Sequence, residues 1–135
     1  TGTLKDAAEH EKLHDLGKRF ITSMEWTKAD KALSKAHQMC IEDSGILAAM
    51  GWARFHNPEK NPESRREEAM ESLMLALHLD SSNVDTLVYL SRAYLSIGQP
   101  ENALTSIRRA TTLTPDTAVQ DLRQEIEDAI SQSRE

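Results

Sequence analysis

A repeat with a period of about 34 residues is the feature of this sequence that most restricts its fold. Gly17 and Gly51 are separated by the same interval as Ala69 and Ala103, and apolar residues recur around them at three- and four-residue steps. Such spacing places apolar side chains on one face of an α-helix. Because a helix pair cannot bury its apolar face alone, we expect the copies to pack side by side. The second copy is longer by six residues, inserted between its two helices. The copies are approximately residues 10–43, 44–83 and 84–117.

Helical spacing covers nearly the whole chain, whereas the alternation typical of strands is absent. Asn61-Pro62 fits a helix start, with Asn as the cap and Pro at the first helical position. Gly98-Gln99-Pro100 and Thr114-Pro115 mark two more boundaries. The sequence therefore predicts an all-α chain of seven helices. Their predicted bounds are 4–23, 27–40, 44–56, 63–79, 83–97, 101–113 and 116–132.

The pattern resembles the tetratricopeptide repeat (TPR), whose signature is W-x2-L-G-x2-Y, then A-x3-F and then Pro. The third copy matches best, with Leu90-Ser91-x-x-Tyr94, Ala103 and Pro115 in register. The resemblance implies a right-handed α-solenoid of three helix pairs, with the helix at 116–132 as a C-terminal cap. It also implies a single TPR domain over residues 1–135. We expect this domain to be excised from a longer protein, because the sequence does not begin with Met.

The small residues of the repeat, such as Gly17 and Gly51, are expected to let the two helices of a copy approach closely. We expect Leu16, Leu33 and Leu90 to lie in the interior. The second copy departs from the motif, since it has Arg54 where the motif has an aromatic residue.

In TPR proteins the first helices of the repeats line a concave surface that commonly binds peptides, and the resemblance implies the same here. Trp52 and Phe55 would supply an aromatic anchor, with Lys18 and Arg92 as a basic rim, which is the composition of a binding hot spot. The alternative is that both aromatic side chains pack against the insert or a neighbouring helix. The insert at 57–62 is either a neutral loop or a lip at one end of the groove. The predicted partner-binding residues are His14, Lys18, Ile21, Ala48, Trp52, Phe55, Val88, Arg92 and Leu95.

One TPR subclass holds the terminal carboxylate of chaperone peptides with a clamp of Lys, Asn and Arg side chains. Of the corresponding residues here, only Lys18 has a suitable charge, and Asp85 has the opposite sign. The sequence therefore argues against a carboxylate-clamp partner. The corresponding residues are His14, Lys18, Ala49, Asp85 and Tyr89.

The segment from His10 to His14 matches H-E-x-x-H, in which two His on one helical face bind zinc. Catalysis would need a third ligand and a shielded site, and the repeat already explains the apolar residues of this segment. We therefore predict no catalytic metal and no cofactor. An adventitious metal held by His10 and His14 is the weaker alternative. We expect Cys40, which has no Cys or His in motif spacing, to act as a small buried hydrophobe.

Charge and composition exclude several function classes. With 16 Lys and Arg against 22 Asp and Glu, the net charge of −6 argues against nucleic-acid binding. No apolar run approaches the roughly 20 residues of a membrane span. A single cysteine cannot form an intrachain disulfide, which favours a reducing, cytoplasmic compartment.

The sequence thus predicts a non-catalytic protein–protein interaction module for a peptide or protein partner. The alternative is an assembly element, either a homodimer or a spacer in a multidomain bacterial signalling or chaperone-cofactor protein.

Overall fold

In a computed structural model, which describes residues 4–134 (with side chains from residue 8), the chain forms seven α-helices and no β-strand within that range. Every helix end lies within one residue of its predicted position, so the all-α prediction is confirmed. The helices are α1 (Leu4–Thr22), α2 (Trp26–Met39), α3 (Ser44–His56), α4 (Pro62–Leu79), α5 (Val84–Ser96), α6 (Pro100–Leu113) and α7 (Thr117–Ser133).

Side-chain caps fix where four of these helices begin. The carboxylate or amide oxygens of Asp43, Asn61, Asn83 and Asp116 accept hydrogen bonds from backbone N–H groups in the first turns of α3, α4, α5 and α7. Each bond satisfies a donor that has no partner within the helix. Pro62 then occupies the first position of α4, as predicted from Asn61-Pro62.

The chain divides after Ser81 into two compact units, and the single domain expected over residues 1–135 stays a prediction. In the first unit α1 packs on α2, α2 on α3, and α3 on α4. Close approach depends on the glycines of the repeat. A Cβ atom on Gly17 would collide with the side chain of Leu33. A Cβ atom on Gly51 would lie 3.0 Å from the Cβ of Ser72 and 3.1 Å from the carbonyl oxygen of Ala69.

The second unit contains α5, α6 and α7, with α5 packed on α6 and α6 packed on α7. Ser91 takes the place of the repeat glycine and is fully buried. Its hydroxyl is satisfied because it donates a hydrogen bond to the carbonyl of Leu87, at 2.7 Å. Helix α7 buries one apolar face against α6, formed by Val119, Leu122, Ile126 and Ile130.

Two of the three leucines expected in the interior are there. Leu33 and Leu90 are fully buried, but Leu16 is 37% exposed, so that prediction is wrong. Leu16 corresponds to Met50 of the second copy, which is 3% exposed because α3 has α2 on one side and α4 on the other. Within residues 4–134, α1 packs on α2 and only narrowly on α3, so the face with Leu16 is left partly uncovered.

None of the helices in the described part of the chain has both the length and the apolar composition of a membrane span.

Candidate functional site

The predicted binding residues on the first unit differ in what they expose. Lys18 on α1 is exposed, and His14 and Ile21 on the same helix are half-buried. Ala48 on α3 is fully buried, so it belongs to the core rather than to an accessible surface. We call the surface formed by Lys18 and Ile21 the α1 face.

Trp52 and Phe55 lie in an aromatic cluster with Trp26 and His56. Their exposed fractions are only 9% and 8%, and their rings stack with centroids 5.7 Å apart. Trp26, the first residue of α2, contacts Trp52 edge-on at 6.5 Å and stacks on His56 at 4.4 Å. Aromatic pairs of this kind add about 0.5–1.5 kcal/mol each beyond their buried area. Trp52 therefore packs against the neighbouring helix α2, as in the alternative that the sequence left open. Phe55 packs against Trp52 and His56 of its own helix.

The electrostatics of His56 follow from its place in this cluster. Burial lowers the pKa of its imidazole, and the positive charge of Arg65 lowers it further. Its Nε2 atom is buried and has no hydrogen-bond partner among the described residues. The lowered pKa favours the neutral form of the ring, which stacks on Trp26.

Arg54, the residue that departs from the repeat motif, forms an ion pair between α3 and α2. Its Nε donates to Oδ1 of Asp30 at 3.0 Å, and its Nη2 donates to the hydroxyl of Ser34 at 2.9 Å. Asp30 is 6% exposed, and its second oxygen accepts a hydrogen bond from Nδ2 of Asn57 at 2.9 Å. A buried carboxylate needs such partners. Arg54 thus replaces an aromatic contact with a charged one, and Asp30 is its counterion.

Asn57 anchors the insert of the second copy to the body of the first unit. It is 5% exposed, and its Oδ1 accepts hydrogen bonds from the Thr27 hydroxyl at 3.1 Å and from the Glu59 N–H at 3.0 Å. Its carbonyl accepts a further bond from Nη1 of Arg65 at 3.0 Å. The insert is therefore fixed at its first residue, while Pro58 and Glu59 are exposed.

On the second unit, the predicted residues of α5 retain accessible surface. Arg92 is exposed, and Val88 and Leu95 are half-buried; we call these three residues the α5 face. Tyr89 lies beside them. Burial, with a contribution from the charge of Asp85, raises the pKa of its phenol to about 12, so it stays neutral at physiological pH.

The structure gives His10 different neighbours from those that H-E-x-x-H suggested. Its ring lies with Cys40 and Asp43, and the potential ligand atoms of the three side chains are all within 4.8 Å of one another. His14 is not a member of this group. This group as a whole could not be found from the sequence, because His10 lies on α1 and Cys40 in the turn after α2, far apart in the sequence. The available signal was the Cys-x-x-Asp spacing in the turn after α2.

The helix arrangement closely matches solved structures of tetratricopeptide-repeat proteins. The first TPR domain of Spaghetti (RPAP3), solved with the HSP90 peptide SRMEEVD, has a TM-score of 0.75 and 15% identity, over 92% of this chain and 97% of that one. TTC0263, a TPR protein of Thermus thermophilus, has a TM-score of 0.79 and 14% identity, over 90% of this chain and 65% of that one. This chain has the TPR fold.

A third similar structure is the type III secretion translocator chaperone SycD of Yersinia enterocolitica, solved as an alternative dimer. Its TM-score is 0.69 at 16% identity, over 89% of this chain and 92% of that one. No family model matches the sequence, and no curated protein sequence matches it. The TPR fold is therefore recognisable in the helix arrangement and in the repeat pattern, at low overall sequence identity.

Proposed function

We propose that this TPR-fold chain is a non-catalytic protein–protein interaction module that binds a peptide segment or a protein partner. The observation that carries the proposal is the similarity to TPR domains, one of which was solved with a bound HSP90 peptide. Repeat proteins of this kind use the surfaces of their first helices for binding. A single cysteine, which cannot form an intrachain disulfide, supports a cytoplasmic location.

The chemistry of the exposed first-helix residues indicates what kind of partner would fit. The α5 face has a cation, Arg92, between the apolar side chains of Val88 and Leu95. The α1 face combines Lys18 with Ile21 in the same way. Each face suits a segment with apolar side chains next to acidic ones, because the apolar contacts supply affinity and the charges supply orientation. Trp52 and Phe55 would add little direct contact area, since they are nearly buried.

A peptide recognised mainly through its terminal carboxylate is a poorer candidate. Among the clamp positions, Ala49 is buried and has no polar side chain, and Asp85 is exposed and negatively charged. A carboxylate next to Asp85 would be repelled rather than held. We therefore expect SRMEEVD, the peptide of the RPAP3 structure, to bind this chain much more weakly than its own partner does.

The experiment that tests the proposal pairs charge reversals on the two faces with matched reversals elsewhere on the same unit. Arg92→Glu is compared with Arg108→Glu, which changes an exposed arginine on α6, and Lys18→Glu with Lys12→Glu on α1. Partners captured from a lysate of the source cells by the unaltered chain are purified, and their affinities are measured by calorimetry. A face reversal should weaken binding at least about tenfold, or 1.4 kcal/mol. Equal affinities for the face and control variants, with unchanged circular dichroism, would refute the proposal that these two faces bind the partner.

Self-association is a second candidate function, favoured by an apolar stripe on α4. Leu75 and Leu79 lie four residues apart on that helix and are 48% and 43% exposed. The terminal helix is less suited to this role, because its outer face is polar and mostly acidic. That face consists of Asp121, Gln124, Glu125, Asp128 and Gln132.

Light scattering across a range of concentrations tests the second candidate. A dimer that Leu75→Gln and Leu79→Gln together return to a monomer would favour an assembly role. A chain that is a monomer at every concentration would exclude the assembly role, and the interaction module would be the remaining candidate.

A further inference from the structure

His10, Cys40 and Asp43 meet where α1 passes the turn that connects α2 to α3. Each of the three side chains is half-buried, and each offers a different donor: an imidazole nitrogen, a thiol sulfur and a carboxylate oxygen. These donors lie within 4.8 Å of one another. One donor comes from α1 and two come from the α2–α3 turn, so their meeting is a result of the tertiary fold and not of one helix surface.

The backbone holds two of the three donors in place. Cys40 is the C-cap residue of α2, and its N–H donates to the carbonyl of Ala36 at 3.0 Å. The residues from Cys40 to Asp43 form a tight turn in which the N–H of Asp43 lies 3.5 Å from the carbonyl oxygen of Cys40. Asp43 in turn caps α3 through Oδ1, which accepts a hydrogen bond from the N–H of Ile46 at 3.1 Å. The cap uses one carboxylate oxygen, and the carboxylate has a second.

The donor set determines which metal would bind. In a tetrahedral zinc site the bonds are about 2.0–2.3 Å long, which separates neighbouring ligand atoms by about 3.5 Å. Donor atoms that lie within 4.8 Å of one another would reach that spacing by moving roughly 1 Å closer together. A thiolate is a poor ligand for Mg²⁺ or Ca²⁺, while thiolate, imidazole and carboxylate are all ligands of Zn²⁺. The thiolate of Cys40 and the carboxylate of Asp43 would together neutralise the charge of the ion.

We propose that His10, Cys40 and Asp43 bind one Zn²⁺ ion, with water in the fourth position, and that the ion ties α1 to the α2–α3 turn. The bound ion would add a link between α1 and the rest of the first unit. Binding to the folded chain alone would stabilise it increasingly as the ion concentration rises.

Cobalt titration of the chain under reducing conditions tests the site directly, because Co²⁺ takes the same ligands and a cobalt–thiolate bond has a charge-transfer absorption band. The ligand variants are His10→Gln, Cys40→Ser and Asp43→Asn. Asparagine caps a helix as well as aspartate does, so Asp43→Asn removes the anionic ligand and keeps the cap of α3. His14→Gln is the matched control, since it changes the other histidine of H-E-x-x-H on the same helix.

The expected result is one Co²⁺ per chain, a charge-transfer band that disappears when Zn²⁺ is added, and a melting temperature that increases with Zn²⁺. Loss of a residue that only supports a metal ligand lowers metal affinity roughly 10–100-fold. Each ligand variant should therefore lower the affinity for Co²⁺ by at least this factor. His14→Gln should bind as the unaltered chain does. The proposal is overturned if the unaltered chain gives no charge-transfer band. It is also overturned if His14→Gln abolishes binding while Asp43→Asn and Cys40→Ser retain it, because the metal would then be held by the helical histidine pair.

Discussion

Replacing Arg54 with methionine should destabilise the first unit considerably more than an ordinary surface substitution does. Methionine has a similar length and helix propensity, so the change chiefly removes the charge and the hydrogen-bond donors. It breaks the 3.0 Å ion pair with Asp30 and the 2.9 Å bond to Ser34. Asp30 would keep its bonds from Ser34 and Asn57 but would lose its counterion.

The magnitude follows from how deeply the pair is buried. A hydrogen bond between charged groups contributes about 1.5–3 kcal/mol and a neutral one about 1 kcal/mol, while breaking a fully buried ion pair costs about 3–5 kcal/mol. The side chain of Asp30 is 8% exposed but that of Arg54 is 25% exposed, so solvent screens part of the interaction. We therefore expect a loss of about 2–4 kcal/mol, and a melting temperature lower by about 10 °C.

Urea unfolding of Arg54→Met, Asp30→Asn and the double variant measures the coupling directly. Arg66→Met is the control, because Arg66 is exposed on the neighbouring helix α4. The effects of the two substitutions should be far from additive, since they remove the same ion pair. A loss for Arg54→Met no larger than that of the control, or fully additive effects, would show that the ion pair does not stabilise the first unit.

Three further predictions concern other positions. Burial lowers the pKa of His56, so the folded chain favours the neutral ring. The resulting stabilisation is present above pH 6.5 and is lost as the pH falls below 6.5 towards the lowered pKa. In His56→Phe this part of the pH dependence of the unfolding free energy should be absent. Gly98 has φ of +81° and no atom near its would-be Cβ, so Gly98→Ala should cost about 1–2 kcal/mol from backbone strain alone, measured by urea unfolding. Asn57→Ala should release the insert and lower the free energy of unfolding by about 1–3 kcal/mol, which would be seen as faster proteolytic cleavage at 58–61. The control Asn102→Ala, on the exposed surface of α6, should leave the cleavage rate unchanged.

The helix bounds could be predicted closely because their signals are local. Asn61 and Pro62 define the start of α4 from two adjacent residues, and Gly17 and Gly51 mark where helices approach closely. These features depend on a few neighbouring residues or on a fixed period. Helix periodicity also placed Leu33 in the core, because its face of α2 must meet α1.

Burial on one face of α1 could not be read from periodicity, which identifies a helix face but not whether another helix covers it. Leu16 and Met50 occupy the same repeat position, yet only Met50 is covered. Periodicity could not predict the burial of Trp52 either, since that burial depends on Trp26 at the start of the preceding helix and on His56 at the end of α3. The group around Cys40 required knowledge of which residue of α1 lies beside the turn.

The network around Asp30 also restricts how the second copy can change over evolution. An aromatic residue at position 54 would leave Asp30 in the interior without its counterion, so this single substitution should be destabilising. Replacing Asp30 first would remove the carboxylate partner of the Arg54 guanidinium. It would also remove the acceptor for Asn57, the residue that fixes the insert. Substitutions of Arg54, Asp30 and Asn57 should therefore be epistatic, because each one removes a partner of another.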